Sequence, residues 1–327
     1  MTTVRSYGRK FLTVLYLLCI AFILPNASGC SPSKTEYTLF SDADKTVSFV
    51  GGTIKEAIGI VLDEHELLIC NYKGKTVCGQ NFSERITFFE MTEYSILVGF
   101  ETNRIELYAL EGNVLSAKSQ YSFETDIAEA EFVDDSDTIV LLDSGELWKC
   151  SFQSDGIQLI DANVKCVSYD ACYHVVVYIT EQGEIRGLSS YLPEYVSNID
   201  QSILKDIDSI TDSYYESELC FLARGKENSY YISINLDHVF SLIEMESNEN
   251  FEPVYTAKIV PETALYMENN QLYYEGMSID NKKEYRKRNK KVHGRVSLDI
   301  PNEYKVCVAL GCVIYFSQHE VNIQLIK

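Results

Sequence analysis

The sequence predicts an all-β fold built from a repeated unit. Tyr and Phe are abundant, at 23 and 15 of 327 residues, and aromatic side chains favour strands over helices. Apolar residues make up 46% of the chain, which is enough for a packed core. Short apolar runs alternate with polar turns at a regular spacing along the chain. We therefore expect a series of β-hairpins rather than helices or disordered segments.

The repeat is visible as seven hairpin-like segments, each with a polar turn between two strand-forming runs. One marker residue per turn defines the spacing: His65, Asn103, Gly145, Gly183, Asn228, Asn270 and His319. Successive markers lie 38, 42, 38, 45, 42 and 49 residues apart, a mean of about 42. A strand-rich repeat of 40 to 45 residues has the length of a four-stranded propeller blade. The sequence therefore predicts a seven-bladed β-propeller.

The third repeat, "TIVLLDSGELWKC" (residues 138–150), shows the strand pattern most clearly. Trp148 and Cys150 alternate with polar Lys149, a period of two that is typical of a strand. Gly145 is placed to make the bend, and we expect the apolar residues after it to pack within or between blades. Helical repeats of similar length, such as the tetratricopeptide and HEAT arrays, lack this alternation. A large β-sandwich or another propeller type is the alternative fold.

The first four repeats resemble the regulator of chromosome condensation repeat family, whose blades carry a Leu–Gly–apolar core around the turn. The matching residues are Leu142, Gly145 and Leu147 in the third repeat, His174, Gly183, Ile185 and Gly187 in the fourth, and Gly51, Gly52 and Leu62 in the first. Asp137 stands where the family has His, many family glycines are absent, and the last three repeats barely carry the likeness. The resemblance implies a propeller that acts through its faces as a protein-binding platform; exported members of such families include protein inhibitors of enzymes.

The N-terminus has the three-part layout of an export signal. Arg5, Arg9 and Lys10 form a positive region, and an uncharged run over residues 11–24 follows it. Fourteen residues are too few for a membrane-spanning helix, which needs about 20. We expect residues 1–29 to be a signal peptide, 30–35 a short tether and 36–327 a single propeller domain.

Cys30 is the candidate lipidation residue. "ASGC" resembles the lipobox of bacterial lipoproteins, in which small residues precede a cysteine that becomes lipid-modified, although Ala27 stands where that family usually has Leu. The resemblance implies an extracytoplasmic protein that is anchored to the cell membrane. Ala27 and Gly29 also fit ordinary signal peptidase, so secretion without an anchor is the alternative.

Eight cysteines follow Cys30 in the chain, and they lie mostly in apolar runs. Export permits disulfides, but buried cysteines often act as small hydrophobic side chains. We expect free buried thiols, and Cys70–Cys78 and Cys150–Cys166 are the pairs to test first.

Recognised catalytic motifs, metal-ligand spacings and cofactor fingerprints are absent from the sequence, so we predict no catalytic residues, no metal and no cofactor. Asp134, Asp135 and Asp137 form one acidic group and Asp42 and Asp44 another. Carboxylates are Ca²⁺ ligands, but solvated turns are the favoured interpretation of both groups. For the five histidines, a role on the surface or in blade packing is the favoured interpretation.

The net charge of −20 disfavours nucleic-acid binding, which needs Lys and Arg to neutralise phosphates. One basic segment stands apart, Lys282–Arg295, with one Glu. Its eight cations are Lys282, Lys283, Arg286, Lys287, Arg288, Lys290, Lys291 and Arg295. Behind an export signal, this segment is a candidate loop for anionic lipid or envelope polymer, or it docks on an acidic face of its own chain. A solvated loop is the alternative interpretation.

These observations favour an exported, lipid-anchored, non-catalytic propeller that presents its loops to a protein or an envelope polymer. The alternative function is an envelope glycan hydrolase or lyase, with carboxylates gathered from several blades.

Overall fold

The structure is a computed structural model. It describes residues 34–52, 57–92, 95–133, 137–153, 156–170, 175–189, 196–215, 218–226, 228–234, 239–244, 251–256, 264–268, 271–277, 293–301, 303–309 and 311–326.

Seven β-sheets follow one another along the chain, and each forms one blade. The first strand, β1 (Lys34–Ser41), belongs to the last blade. Blade 1 contains β2 (Val47–Gly52), β3 (Ala57–Leu62), β4 (Glu66–Asn71) and β5 (Thr76–Asn81). Blade 2 contains β6 (Ile86–Met91), β7 (Ser95–Phe100), β8 (Arg104–Glu111) and β9 (Val114–Ser122). Blade 3 contains β10 (Ile127–Phe132), β11 (Asp137–Leu142), β12 (Leu147–Ser151) and β13 (Gly156–Asp161).

The remaining blades are less uniform. Blade 4 contains β14 (Val164–Asp170), β15 (Val175–Thr180) and β16 (Ile185–Ser189). Blade 5 contains β17 (Val196–Ser197), β18 (Ile207–Tyr215), β19 (Glu218–Gly225), β20 (Ser229–Ile234) and β21 (Val239–Glu244). Blade 6 contains β22 (Phe251–Thr256), β23 (Ala264–Glu268), β24 (Gln271–Met277) and β25 (His293–Leu298). Blade 7 contains β26 (Lys305–Ala309), β27 (Cys312–Phe316) and β28 (Glu320–Ile326), with β1 at its outer edge.

The blades close into a ring. The innermost strands of neighbouring blades contact one another: β2 contacts β6, and β6 contacts β10. In the same way, β14 contacts β18, β18 contacts β22, and β22 contacts β26. Blade 3 contacts blade 4 through β11 and β14, and β26 contacts β2. Each sheet is therefore one blade of a closed β-propeller, and the predicted seven-bladed fold is confirmed.

The ring is closed by pairing the two ends of the chain. β1 runs antiparallel to β28, from Lys34 opposite Ile326 to Ser41 opposite Glu320. The register shifts between Thr38 and Phe40, so a bulge bends the outer strand there. This pairing covers the edge that β28 would otherwise expose, and β1 becomes the outer edge of blade 7.

Two blades depart from four strands. β17 pairs in parallel with β21, so blade 4 has three strands and blade 5 has five. A short helix, α1 (Gln201–Asp206), follows β17, and the Asp200 side chain caps it by accepting the Ser202 N–H at 2.8 Å. Leu204 of α1 is buried in the apolar cluster between blades 4 and 5. The short helix therefore adds apolar packing at the seam between blades 4 and 5, where β17 joins the next sheet.

None of the helical segments within the described ranges has the length and hydropathy needed to cross a bilayer.

The apolar core lies between neighbouring blades. All six residues of β7 and of β15 are buried, because a second strand is covered by a blade on each face. The outer strands β5 and β9 instead alternate between exposed and half-buried side chains. Leu147 packs in the cluster between blades 3 and 4, whereas Trp148 packs in the cluster between blades 2 and 3. The expected packing role of these two residues is confirmed.

The seven described cysteines are free thiols, in agreement with the prediction from the sequence. They are Cys70, Cys78, Cys150, Cys166, Cys220, Cys307 and Cys312. Neither candidate pair, Cys70–Cys78 or Cys150–Cys166, forms a disulfide. Cys172 lies outside the described residues.

Candidate functional site

The seven marker turns define one face of the ring. In six blades the marker residue falls between the second and third strands counted from the innermost strand, and Asn270, the marker of the sixth repeat, lies outside the described residues. The connection that leaves one blade's outer strand for the next blade's inner strand lies at the same end. We call these turns and connections together the turn face.

Backbone hydrogen bonds join the turn face of blade 7 and blades 1 to 4 into one rim. In four blades the marker carbonyl accepts an N–H from the connection that follows; the pairs are Phe82 to His65, Phe123 to Asn103, Val164 to Gly145 and Asp42 to His319, at 2.8 to 3.1 Å. Each connection in turn accepts from the next blade's turn; the pairs are Asp63 to Thr46, Glu101 to Arg85, Asp143 to Asp126 and Glu181 to Asn163, at 2.7 to 3.0 Å. The rim therefore holds its backbone within itself and presents side chains to solvent.

Gly145 explains why the third turn has its sequence. Its φ is +82°, a left-handed conformation that favours glycine. A Cβ at this position would lie 3.3 Å from the Val164 carbonyl oxygen. This is tighter than an ordinary van der Waals contact, so the backbone would have to shift by a few tenths of an ångström. The Asp-Ser-Gly-Glu segment is thus a hairpin turn fitted against the following connection.

Two histidines have equivalent structural roles in the rim. His65 Nδ1 lies 3.0 Å from the Glu84 carbonyl oxygen, and His319 Nδ1 lies 2.8 Å from the Lys45 carbonyl oxygen. A carbonyl only accepts, so Nδ1 carries the proton in both rings. Both side chains fasten a turn to the neighbouring connection, which confirms the packing interpretation for these two.

Three arginines of the turn face are held by carboxylates. Arg85 Nε lies 3.1 Å from Glu101, and Arg104 Nη2 lies 2.6 Å from Glu84. Arg186 contacts both Asp161 and Glu184. These pairs are exposed or partly exposed, so each contributes at most about 1 kcal/mol to stability.

Exposed carboxylates remain on the rim of blades 2 to 4. We call them the acidic sector; its members are Glu124, Asp126, Asp143 and Glu181. The Asp143 N–H donates to the Asp126 carbonyl oxygen at 2.9 Å, which fixes this turn against the connection. Ser144 Oγ lies 3.4 Å from Thr125 Oγ1. The acidic sector is therefore a patch of negative charge on an ordered backbone.

The two acidic groups singled out in the sequence are structural where they are described. The Asp42 carboxylate accepts the Asp44 N–H at 2.9 Å, as in an Asx turn, and Asp137 pairs with Lys149 at 2.7 Å. Asp134 and Asp135 lie outside the described residues. Within the described part of the chain, no group of three His, Cys, Asp or Glu side chains is placed to hold a metal ion.

The lipidation and basic-loop residues are not tested by the structure. Cys30 and all but the last of the basic residues lie outside the described residues. The backbone of Arg295 pairs with Glu275 in the β24–β25 hairpin. The basic segment connects these two strands, and it leaves β24 at the end opposite to the turn face.

A cleft of 510 Å³ was not predicted from the sequence. It lies over the blade 7 sheet, beside the connection from blade 6. Glu36 and Thr38 come from β1 and Asn322 from β28, while Asp299 and Tyr304 come from the connection. Residues from both ends of the chain meet here, which explains why no local motif indicates the cleft.

Comparison with known proteins places the chain among β-propellers by structure alone. One similar chain comes from the S. cerevisiae complex of Dbp5 with Nup159 and Gle1, with a TM-score of 0.56, 9% identity and coverage of 91% of this chain and 96% of that one. The Myceliophteria thermophila Cps50 (Swd1) β-propeller domain gives a TM-score of 0.56 at 12% identity, covering 90% of this chain and all of that one. Virginiamycin B lyase from Staphylococcus aureus gives 0.54 at 8% identity, with coverage of 91% and 100%. No protein-family model and no curated protein match the chain in sequence. These likenesses show that the chain has the β-propeller fold.

Proposed function

We propose that this chain is an exported, lipid-anchored, non-catalytic β-propeller that binds a protein ligand through its turn face. The observation that carries the proposal is the acidic sector on a rim held by its own backbone hydrogen bonds. A surface that needs no ordering on binding loses less conformational entropy than a flexible loop. Exposed like charges on such a surface steer and select a complementary partner.

The structural neighbours support a protein partner. The titles of two similar chains describe protein assemblies, the Dbp5–Nup159–Gle1 complex and the yeast Nup82–Nup159–Nup116 nucleoporin complex. The second has a TM-score of 0.55 at 9% identity and covers 88% of this chain and 98% of that one. The likeness to the regulator of chromosome condensation repeats, carried by the first four turns, points the same way.

The export and anchoring parts of the proposal rest on residues 1–30. The positive region, the uncharged run and "ASGC" support them. The basic segment Lys282–Arg295 would then meet anionic lipid or envelope polymer. The described strand before it, β24, ends on the side opposite to the turn face, which supports a separate role for the turn face.

Capture of a partner from solubilised membranes tests the proposal. Wild-type protein should retain one stoichiometric partner in low salt, and Asp143→Lys should weaken that binding at least tenfold. Glu111→Lys is the matched control, because Glu111 is also exposed but lies in the β8–β9 turn at the other end of blade 2. Equal binding by both variants would contradict a role for the turn face. Turnover of a polysaccharide by the purified protein would favour the hydrolase or lyase alternative instead.

A further inference from the structure

The cleft on blade 7 gives the turn face a site with depth. Its volume of 510 Å³ lies within the range of about 300–1,000 Å³ that is typical of ligand pockets. Three carboxylates line it, from Glu36, Asp299 and Glu320, and among the described lining residues there is no Lys or Arg. The cleft is therefore selective for positive charge.

The floor of the cleft is formed by one face of the blade 7 sheet. Asn322 lies opposite both Thr38 and Tyr315 in the register, so the three side chains share this face. The neighbouring Val321 and Ile323 point the other way, into the core against blade 1. The face that carries the cleft is thus turned towards blade 6.

Asn322 is the buried polar group of this floor. It is only 6% exposed, and the Thr38 hydroxyl donates to its Oδ1 at 2.8 Å. Among the described residues, this is the hydrogen bond that the Asn322 side chain makes, and it uses the oxygen, so the side-chain amide N–H groups are left to donate to a ligand. Because buried polar groups are normally hydrogen-bonded, these N–H groups favour a ligand that carries a hydrogen-bond acceptor next to its positively charged group.

Two tyrosines form the wall of the cleft. The rings of Tyr304 and Tyr315 meet edge to face, with centroids 5.5 Å apart and an angle of 73°. The Tyr304 hydroxyl donates to Glu320 Oε2 at 3.1 Å, which fixes that carboxylate beside the rings. Aromatic faces next to an oriented carboxylate match a guanidinium, which stacks on rings and binds carboxylate oxygens through two N–H groups.

We infer that the blade 7 cleft is a pocket for an arginine side chain of the protein partner, with a backbone carbonyl of that partner accepting from Asn322. The carboxylates do not form a metal site, because no described cluster of three such groups is close enough to hold an ion. The inference rests on the proposed function, since it specifies which side chain of a protein ligand the turn face accepts.

The test uses two capped tripeptides, one with a central arginine and one with citrulline, its uncharged isostere. Calorimetric titration of the full chain should give one site for the arginine peptide and at least tenfold weaker binding for the citrulline peptide. The Glu36→Gln/Glu320→Gln variant should lose at least tenfold in affinity for the arginine peptide. The control Glu124→Gln/Asp126→Asn removes the same charge from the exposed acidic sector and should change affinity less than twofold.

Equal binding of the two peptides, or equal loss in the two double variants, would overturn the inference and show diffuse attraction to an acidic protein. A glucosamine trimer that binds the cleft while the arginine peptide does not would overturn it as well. The citrulline comparison is made on the unmutated chain, so it does not depend on any variant folding. If the captured partner dissociates from Asp143→Lys but not from the cleft variant, this inference fails and the proposed function stands. If the arginine peptide binds the cleft but no protein partner is captured, the proposed function fails instead.

Discussion

The Thr38 hydroxyl in the first strand donates to the carboxamide oxygen of Asn322 in the last strand, at 2.8 Å and across 284 positions of sequence. This contact belongs to the strand pair that closes the ring. A propeller closed in this way depends on its first strand for the integrity of the last blade, and the seam between blades 7 and 1 depends on the same strand.

Leu39→Ala should destabilise the whole domain. Leu39 of β1 is 7% exposed and packs in the cluster shared by blades 7 and 1. Truncation of a buried Leu costs about 2–5 kcal/mol. We expect a lower urea midpoint measured by tryptophan fluorescence and circular dichroism together. The exposed Val114, at 62%, provides the control Val114→Ala, which should leave the midpoint unchanged. A Leu39→Ala midpoint equal to that of the control would show that β1 is dispensable.

A graded series of glycine substitutions tests the rim. Gly112, Gly145 and Gly183 all have positive φ, so alanine is strained at each, by about 1–3 kcal/mol. An added Cβ meets nothing within 4 Å at Gly112, lies 3.3 Å from Val164 O at Gly145, and lies 2.5 Å from Gln201 O at Gly183. The loss of stability should therefore rise in that order. A Gly183→Ala variant no less stable than Gly112→Ala would contradict the close packing of turn and connection.

Thiol reactivity should follow burial. Burial raises the pKa of Cys150 and of Cys166 to about 12, so both are protonated at pH 8 and hidden from reagents. Cys78 is half-buried. Iodoacetamide labelling followed by peptide mapping should modify Cys78 well before the other two in the native protein and all three together in urea. Rapid native labelling of Cys150 or Cys166 is the contrary result.

The raised pKa values of Cys150 and Cys166 also predict how the stability of the domain changes at alkaline pH. Their folded-state pKa values lie above the ordinary value of 9.0, so the unfolded chain loses these protons first as the pH rises. Their contribution to stability is complete below pH 9 and is lost between about pH 9 and 12. The urea midpoint at pH 10.5 should fall below that at pH 8, and a midpoint that stays constant would contradict this assignment.

Cys30→Ala tests the anchor. If Cys30 carries the lipid, the variant should leave the membrane fraction and appear in the soluble fraction, because the lipid supplies the binding energy. Blotting of separated fractions gives the answer, and Cys172→Ala is a matched control that should stay with the membrane. Retention of Cys30→Ala at the wild-type level would favour another mode of attachment.

The repeat could be read from the sequence because each turn is a local feature. Gly145 and Gly183 need positive φ, and the apolar residues on both sides of each turn need a period of two, so these turns are visible in short stretches of sequence. The closure by β1 is not local, since Leu39 finds its partners at the far end of the chain. The transfer of β17 to blade 5 is not local either, since Val196 pairs with Val239 of β21, 43 residues further along the chain. The cleft depends on Asn322, whose surroundings come from three distant segments.

The protein-binding role of the turn face is the central claim, and hydrogen exchange with and without the captured partner tests it most directly. The amides of Asp143 and Val164 lie in rim hydrogen bonds on this face, whereas those of the β8–β9 turn lie at the other end of the blades. The account predicts that the partner slows exchange in peptides covering residues 123–127 and 142–147 and leaves the 112–116 peptide unchanged. Protection of the 112–116 peptide alone, or of neither region, would contradict it.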